Sequence, residues 1–319
     1  MDALLSNFAS PVVLAFGLGI LAKLVRSDLE IPRPLYQALS IYLLLAIGLK
    51  GGVALSETSL DQFAFPGLVT LGLGLVTPLS AFVVLRFLGK LDLVNASAIA
   101  AHYGSVSAVT FIASITYMQA IGMEPEGFMP TLVAILEVPG IVVALLIPNL
   151  LGQGKGSLKK ALHEVLTGSS IVLLVGGLII GFVAGPDKFT SVSPFFVSGF
   201  QGALVLFLLE LGMVTAKRLT DLRNVGWFLV GFGIFVPILH GFFAVWLGLM
   251  AGLSVSGAAV LAAMISSGSY IAAPAAVRIA LPRANPTYYL TASLGITFPF
   301  NITLGIPLYA EMANWMGGF

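Results

Sequence analysis

The chain has 319 residues, 58% of them apolar and only 9% charged, with a mean hydropathy of +1.03 and a net charge of +1. Too few charges are present to clothe a water-soluble surface, and the near-neutral balance gives no basic footprint for nucleic acid. With no cysteine, disulfides, thiolate catalysis and cysteine metal sites are excluded.

Apolar runs recur along the whole chain, each long enough to cross roughly 30 Å of hydrocarbon at about 1.5 Å per residue. They predict ten spans: 9–26, 34–55, 65–88, 94–119, 128–150, 168–186, 194–215, 225–250, 254–280 and 287–310. The first is read as a span and not a cleaved signal, because Met1-Asp2 supplies no basic n-region. Thirteen of the 15 basic residues fall in alternate loops: Lys23, Arg26, Arg33, Arg86, Lys90, Lys155, Lys159, Lys160, Lys217, Arg218, Arg223, Arg278 and Arg283. Those loops are assigned to the cytoplasm, which puts both termini outside. Trp227, Trp246 and Trp315 fall near span ends, where interfacial anchors lie.

The two halves match each other at a nearly fixed offset. Gly48 pairs with Gly212 at 164 residues, Gly72, Gly74 and Pro78 with Gly231, Gly233 and Pro237 at 159, Gly104 with Gly268 at 164, and Pro139 with Pro299 at 160. Five spans per half turn the second copy upside down, so the expected fold is an all-α integral membrane protein of ten transmembrane helices in two inverted five-helix repeats. Residues 1–151 form the first repeat, 152–167 a cytoplasmic linker with room for an amphipathic turn, and 168–319 the second repeat.

Within the fourth and ninth spans, "YGSVSAVT" (103–110) and "SSGSYIAAPAAVR" (266–278) place glycine and serine about 10 to 14 residues from the span start, near the bilayer midplane. A helix broken there exposes backbone groups that hydrocarbon cannot satisfy, so the break persists only where protein, water or ligand supplies partners. The fourth and ninth helices are therefore expected to be discontinuous. Their second halves would aim two N-termini at one place, an anion site by helix-dipole physics. The alternative is close helix packing through small residues, with the serine hydroxyls bonded to their own helices.

Lys50, Glu137 and Glu210 are the acidic or basic residues that lie five or more residues inside a span end, where a function or an ion pair is the default expectation. Glu137, before Pro139, is a candidate carboxylate ligand for Na⁺ together with the hydroxyls of Ser107, Thr110 and Ser269. Lys50 and Glu210 flank pseudo-equivalent glycines and have mutual pairing as the alternative to a function. His102 and His240 are read as packing or hydrogen-bonded residues, with a proton relay as the alternative. "GSVS" is not a nucleophile elbow, and no spacing suggests a Ser–His or paired-Asp enzyme.

Together "GLKGGVAL" (48–55), "YGSVSAVTF" (103–111), "LEVPGIV" (136–142), "FLLELGMV" (207–214), "SYIAAPAAVR" (269–278) and "ITFPFN" (296–301) resemble the SbtA-type sodium-dependent bicarbonate transporters of cyanobacteria and their bacterial relatives, over residues 10 to 312. The resemblance implies a homotrimeric symporter in the lipid of the plasma (inner) membrane, importing HCO₃⁻ with Na⁺ as coupling ion for carbon concentration, with no other cofactor. It also implies a cytosolic PII-like regulator, SbtB. The bicarbonate positions it implies are Gly104, Ser105, Val106, Ser107, Ser267, Gly268, Ser269 and Tyr270. Rival expectations are transport of another small anion such as sulfate, or an anion-binding sensor or scaffold that recruits a cytosolic protein. No span carries a midplane arginine of the kind that bulky dicarboxylates recruit.

Overall fold

The computed structural model describes residues 7–152 and 156–318; the predicted start of the first repeat and residues 153–155 of the linker, Lys155 among them, lie outside the described residues. Among the described residues the regular elements are helical. Ser10 opens α1 (Pro11–Leu24) by accepting from Val13 N at 3.3 Å, with Pro11 at the first helical position, where its missing N–H costs nothing. Then follow α2 (Arg33–Ser56) and α3 (Leu60–Val83), which runs on through a π turn, Val84–Leu88. Asp92 caps the next helix through Val94 N and Asn95 N.

That helix is interrupted as the serines predict. It comprises α4 (Leu93–Tyr103) and α5 (Ala108–Ala120), with residues 104–107 non-helical between them. The fifth predicted span is also divided, into α6 (Met129–Leu136) and α7 (Pro139–Leu150), because Pro139 cannot donate to the preceding turn. The linker carries α8 (Leu158–Thr167), which buries Ala161 and Val165 and leaves Lys159 and Lys160 exposed. Next come α9 (Ser169–Phe189), α10 (Phe200–Leu219) and α11 (Leu222–Met250), in which Gly226 takes φ 77° beside the exposed Trp227. The ninth predicted span is divided into α12 (Val255–Ile265) and α13 (Ala272–Ala280). The last, α14 (Pro286–Gly317), contains π turns at Thr291–Thr297 and Asn301–Gly305.

Eight segments are long and apolar enough to cross a membrane, where hydropathy alone predicts ten. The difference lies in α1, which has only 14 residues, and in the ninth span, whose break leaves α12 with 11. The chain is a multi-pass membrane protein.

Two pairings dominate one side of the molecule, α1 with α10 and α2 with α9. Both are backbone-close. A Cβ on Gly212 would stand 2.1 Å from Phe16 O, and one on Gly52 2.1 Å from Leu178 O. Small residues permit such approach, and in lipid, close van der Waals packing is what holds helices together. The interrupted helices meet each other and α11 and α14 on the other side. One core gathers Phe16, Phe111, Leu132, Phe207 and Tyr309; the second gathers Leu85, Ile99, Ile141, Val277 and Tyr289.

The pairing alternative for Lys50 and Glu210 is overturned. Lys50 Nζ lies 5.3 Å from the Phe200 ring centroid, at the first residue of α10, whereas Glu210 is ten residues further along that helix, about 15 Å away. Among the described residues the salt bridge that forms is Arg218–Asp221, at 3.5 Å.

Candidate functional site

The two helix breaks cross, and each satisfies part of the other's backbone. Ser107 N donates to Ser267 Oγ at 2.8 Å, and Ser269 N donates to His102 O at 2.7 Å. Ser267 Oγ in turn donates to Met264 O at 2.6 Å, so this hydroxyl is engaged on both sides. These bonds explain how two interruptions survive deep in an apolar bundle: the freed groups find partners in protein, not lipid.

Ser107 also caps α5, accepting from Thr110 N at 3.2 Å. Its counterpart α13 begins without a side-chain cap. Both N-termini open on one small cavity, lined by Val106, Ser107, Ala108, Glu137, Ser269, Tyr270 and Ile271. The remaining wall is Leu44 of α2 and Ser170 of α9, from the paired helices opposite. Its volume is about 10 Å³, the room of a single water. A triatomic or larger anion enters only if that wall withdraws.

Of the expected site residues, Val106, Ser107, Glu137, Ser269 and Tyr270 thus share a cavity. Gly104 and Ser105 line an adjacent one with Thr77, Tyr103 and Leu136. Ser105 Oγ donates to Glu137 O at 3.1 Å and lies 3.5 Å from Glu137 Oε2, joining the break in the fourth span to that in the fifth. Gly268 faces Ser293, where a Cβ would stand 3.1 Å from the Ser293 Cβ. Thr110 is fully buried one turn into α5 and lines neither cavity. Tyr270 packs edge-on to Phe298 at 5.4 Å.

Sequence reasoning missed several members. Ser170 and Leu44 come from the opposing helices, and nothing local in "GSS" or "LLL" marks them. Asn301 of α14 donates to Ser266 O at 2.9 Å and accepts from Tyr309 Oη at 3.0 Å, tying the second break to the π-distorted last span. The signal for it was its place two residues beyond Pro299, the partner of Pro139. Tyr103 Oη shares a 2.6 Å hydrogen bond with Thr297 Oγ1 and donates to Ala292 O at 3.2 Å. Tyr103→Phe is expected to cost about 1–2 kcal/mol, read as a lower thermal midpoint in detergent.

His102 Nδ1 is 2.7 Å from Ala98 O and its ring stacks on Tyr289 at 4.5 Å; His240 Nε2 is 2.7 Å from Ser80 Oγ. These are the hydrogen-bonded, packed roles expected of them.

Interrupted helices that meet inside a multi-pass helical bundle, with helix N-termini and a buried carboxylate on one cavity, define a membrane transporter rather than an enzyme. The sequence profile of the Na⁺-dependent bicarbonate transporter superfamily matches residues 11–314, and the chain belongs to that superfamily. Among curated proteins, none matches the chain.

Proposed function

We propose that the chain is a Na⁺-dependent bicarbonate symporter that imports HCO₃⁻ across the plasma membrane, with both termini outside. The crossing of the two helix breaks carries this reading. An uncapped helix start and a capped one face a shared cavity, and their partial positive charges offset part of the cost of stripping water from an anion.

In this reading the anion is held by Gly104, Ser105, Val106, Ser107, Ser267, Gly268, Ser269 and Tyr270. Na⁺ lies beside it against Glu137, Ser107 and Ser269, with Thr110 behind. Each ion lowers the cost of binding the other, which couples their occupancy. The fold is read as two inverted five-helix repeats, 1–151 and 168–319, joined by 152–167. The exchange of partners between α1·α10 and α2·α9 supports it, because an inverted repeat maps the first pair onto the second. Transport then consists of the α1, α2, α9 and α10 bundle moving against the crossing, withdrawing Leu44 and Ser170 from the cavity. A homotrimer and a cytosolic PII-like regulator complete the proposal.

Uptake of labelled bicarbonate into proteoliposomes, with Na⁺ or K⁺ gradients and with sulfate as competitor, tests it. Expected is accumulation driven by the Na⁺ gradient and insensitive to sulfate. Ser269→Ala should raise the half-saturation for both ions about tenfold, the loss of one hydrogen bond to a charged group. Ser105→Ala should act in the same direction. Binding without uptake would favour the sensor or scaffold, and sulfate uptake the other-anion reading.

A further inference from the structure

Lys50 has no part in the crossing, yet it is a cation well inside the apolar stretch of α2. It lines a cavity of about 240 Å³ with Ile47 and Ala54 of α2, Phe111, Ile115 and Gln119 of α5, Glu124 and Glu126 of the loop that follows, and Phe200. This cavity shares no lining residue with the small one at the crossing, but it lies along the same two helices. On α2 the series Leu44, Ile47, Lys50 and Ala54 advances by three or four residues along one helix face, and on α5 so do Ala108, Phe111, Ile115 and Gln119. The first member of each series lines the small cavity at the crossing, and the later members line this larger one. The same faces of the two helices thus reach from the Glu124 loop to the crossing, with Lys50 about 9 Å of helix rise beyond Leu44.

The charges around the larger cavity are unequally committed. Glu126 Oε1 accepts from Ser254 N at 2.5 Å, while its other oxygen, against Gly257, is buried with no hydrogen-bond partner among the described residues. Glu124 Oε2 accepts from Gln119 Nε2 at 3.0 Å. Lys50 Nζ rests over the Phe200 ring and forms no hydrogen bond or salt bridge among the described residues. A ring face steadies an ammonium without supplying an oxygen acceptor, so its donors remain for a ligand. The walls are otherwise apolar, and an anion passing between them needs a counter-charge before it reaches the helix N-termini.

We propose that this cavity is a second, outer site for a small oxyanion, in which Lys50 receives bicarbonate before it reaches the crossing. The inference rests on the symport reading for the identity of the anion and for the direction of approach. The ligand class is a monovalent oxyanion small enough for a cavity of about 240 Å³. Glu124, at the mouth, disfavours dianions and keeps the affinity low enough for release inward.

Two measurements test it. In purified wild-type protein, acetylation of Lys50 by an amine-reactive reagent is followed by mass spectrometry in bicarbonate or in chloride at equal ionic strength, with the exposed Lys188 as internal reference. At a bicarbonate concentration ten times its half-saturation, Lys50 should be modified about tenfold more slowly and Lys188 at an unchanged rate. In proteoliposomes, Lys50→Gln should raise KM for bicarbonate about tenfold, leaving Vmax and the half-saturation for Na⁺ near wild type, and Lys50→Arg should restore KM. Unprotected Lys50 together with an unchanged KM, in protein that still takes up bicarbonate, overturns the proposal. A fall in Vmax alone, reproduced by Glu124→Gln, also overturns it and makes the residue a latch between bundles. If the wild type carries no bicarbonate, the symport reading fails instead, and protection of Lys50 by formate or nitrate still decides whether an oxyanion site is present.

Discussion

Gly140→Ala is expected to abolish folded, transport-competent protein. Gly140 is the second residue of α7, just after the break at Glu137 and Val138, and it lies against Gly104 at the break in the fourth span. A Cβ there would stand 1.8 Å from Gly104 O and 2.4 Å from Gly104 C. These are backbone atoms, so no rotamer change relieves the clash, and the two breaks must separate. Separation pulls Ser105 from Glu137 O and disturbs the neighbouring Ser107–Ser267 contact. The cost should exceed the about 1–3 kcal/mol of ordinary overpacking. Gly104→Ala should be milder, since its Cβ meets Gly140 and Pro78 at 2.8 Å. Gly72→Ala and Gly176→Ala are internal controls: both are helical and would meet nothing within 4 Å. They should be neutral or stabilising by about 0.5–1 kcal/mol, the helix preference of alanine over glycine. Monodisperse yield and thermal midpoint in detergent rank the four, and a Gly140→Ala protein as stable as Gly72→Ala would refute the backbone contact.

Much of this site was legible because its chemistry conflicts with its surroundings. Serine and glycine in the middle of an apolar run are poor helix choices unless a break is required, and both breaks fall where "GSVS" and "SSGSY" place them. What was not legible depends on which helices face one another. Ser170 and Leu44 look like ordinary residues of α9 and α2, and only packing brings them to the cavity. Lys50 and Glu210 flank matching glycines in sequence, but position along oppositely directed helices separates them. The break at Glu137 and Val138 was foreshadowed by Pro139, whereas the π turns of α14 have no comparable signal in "TASLGIT". Thr110 shows the limit of spacing arguments. It lies three residues from Ser107, and its backbone N–H serves the cap, while its hydroxyl stays outside the cavity.

Glu137→Gln should weaken the affinity of uptake for sodium. Glu137 is 5% exposed, and among the described residues lining its cavity there is no Lys, Arg or His to neutralise it. Its polar neighbours are Ser105 Oγ, 3.5 Å from Oε2, and the hydroxyl-bearing residues Ser107, Ser170, Ser269 and Tyr270. A carboxylate so placed inside a membrane is costly on its own, and in the symport proposal a bound cation is the partner that offsets its desolvation. The amide of glutamine keeps the size and the oxygen but loses the charge. Half-saturation for Na⁺ should therefore rise about tenfold or more, with uptake at low Na⁺ lost and partly regained at high Na⁺. Glu137→Asp keeps the charge on a shorter arm and should fall between. The competing account, a structural carboxylate with no ion, makes the opposite forecast. Removing an unpaired buried charge would then stabilise the fold and leave the Na⁺ dependence unchanged. Thermal midpoints with and without Na⁺ separate the two. If Glu137 holds the ion, Na⁺ raises the midpoint of the wild type by mass action and has little effect on Glu137→Gln at the same concentration.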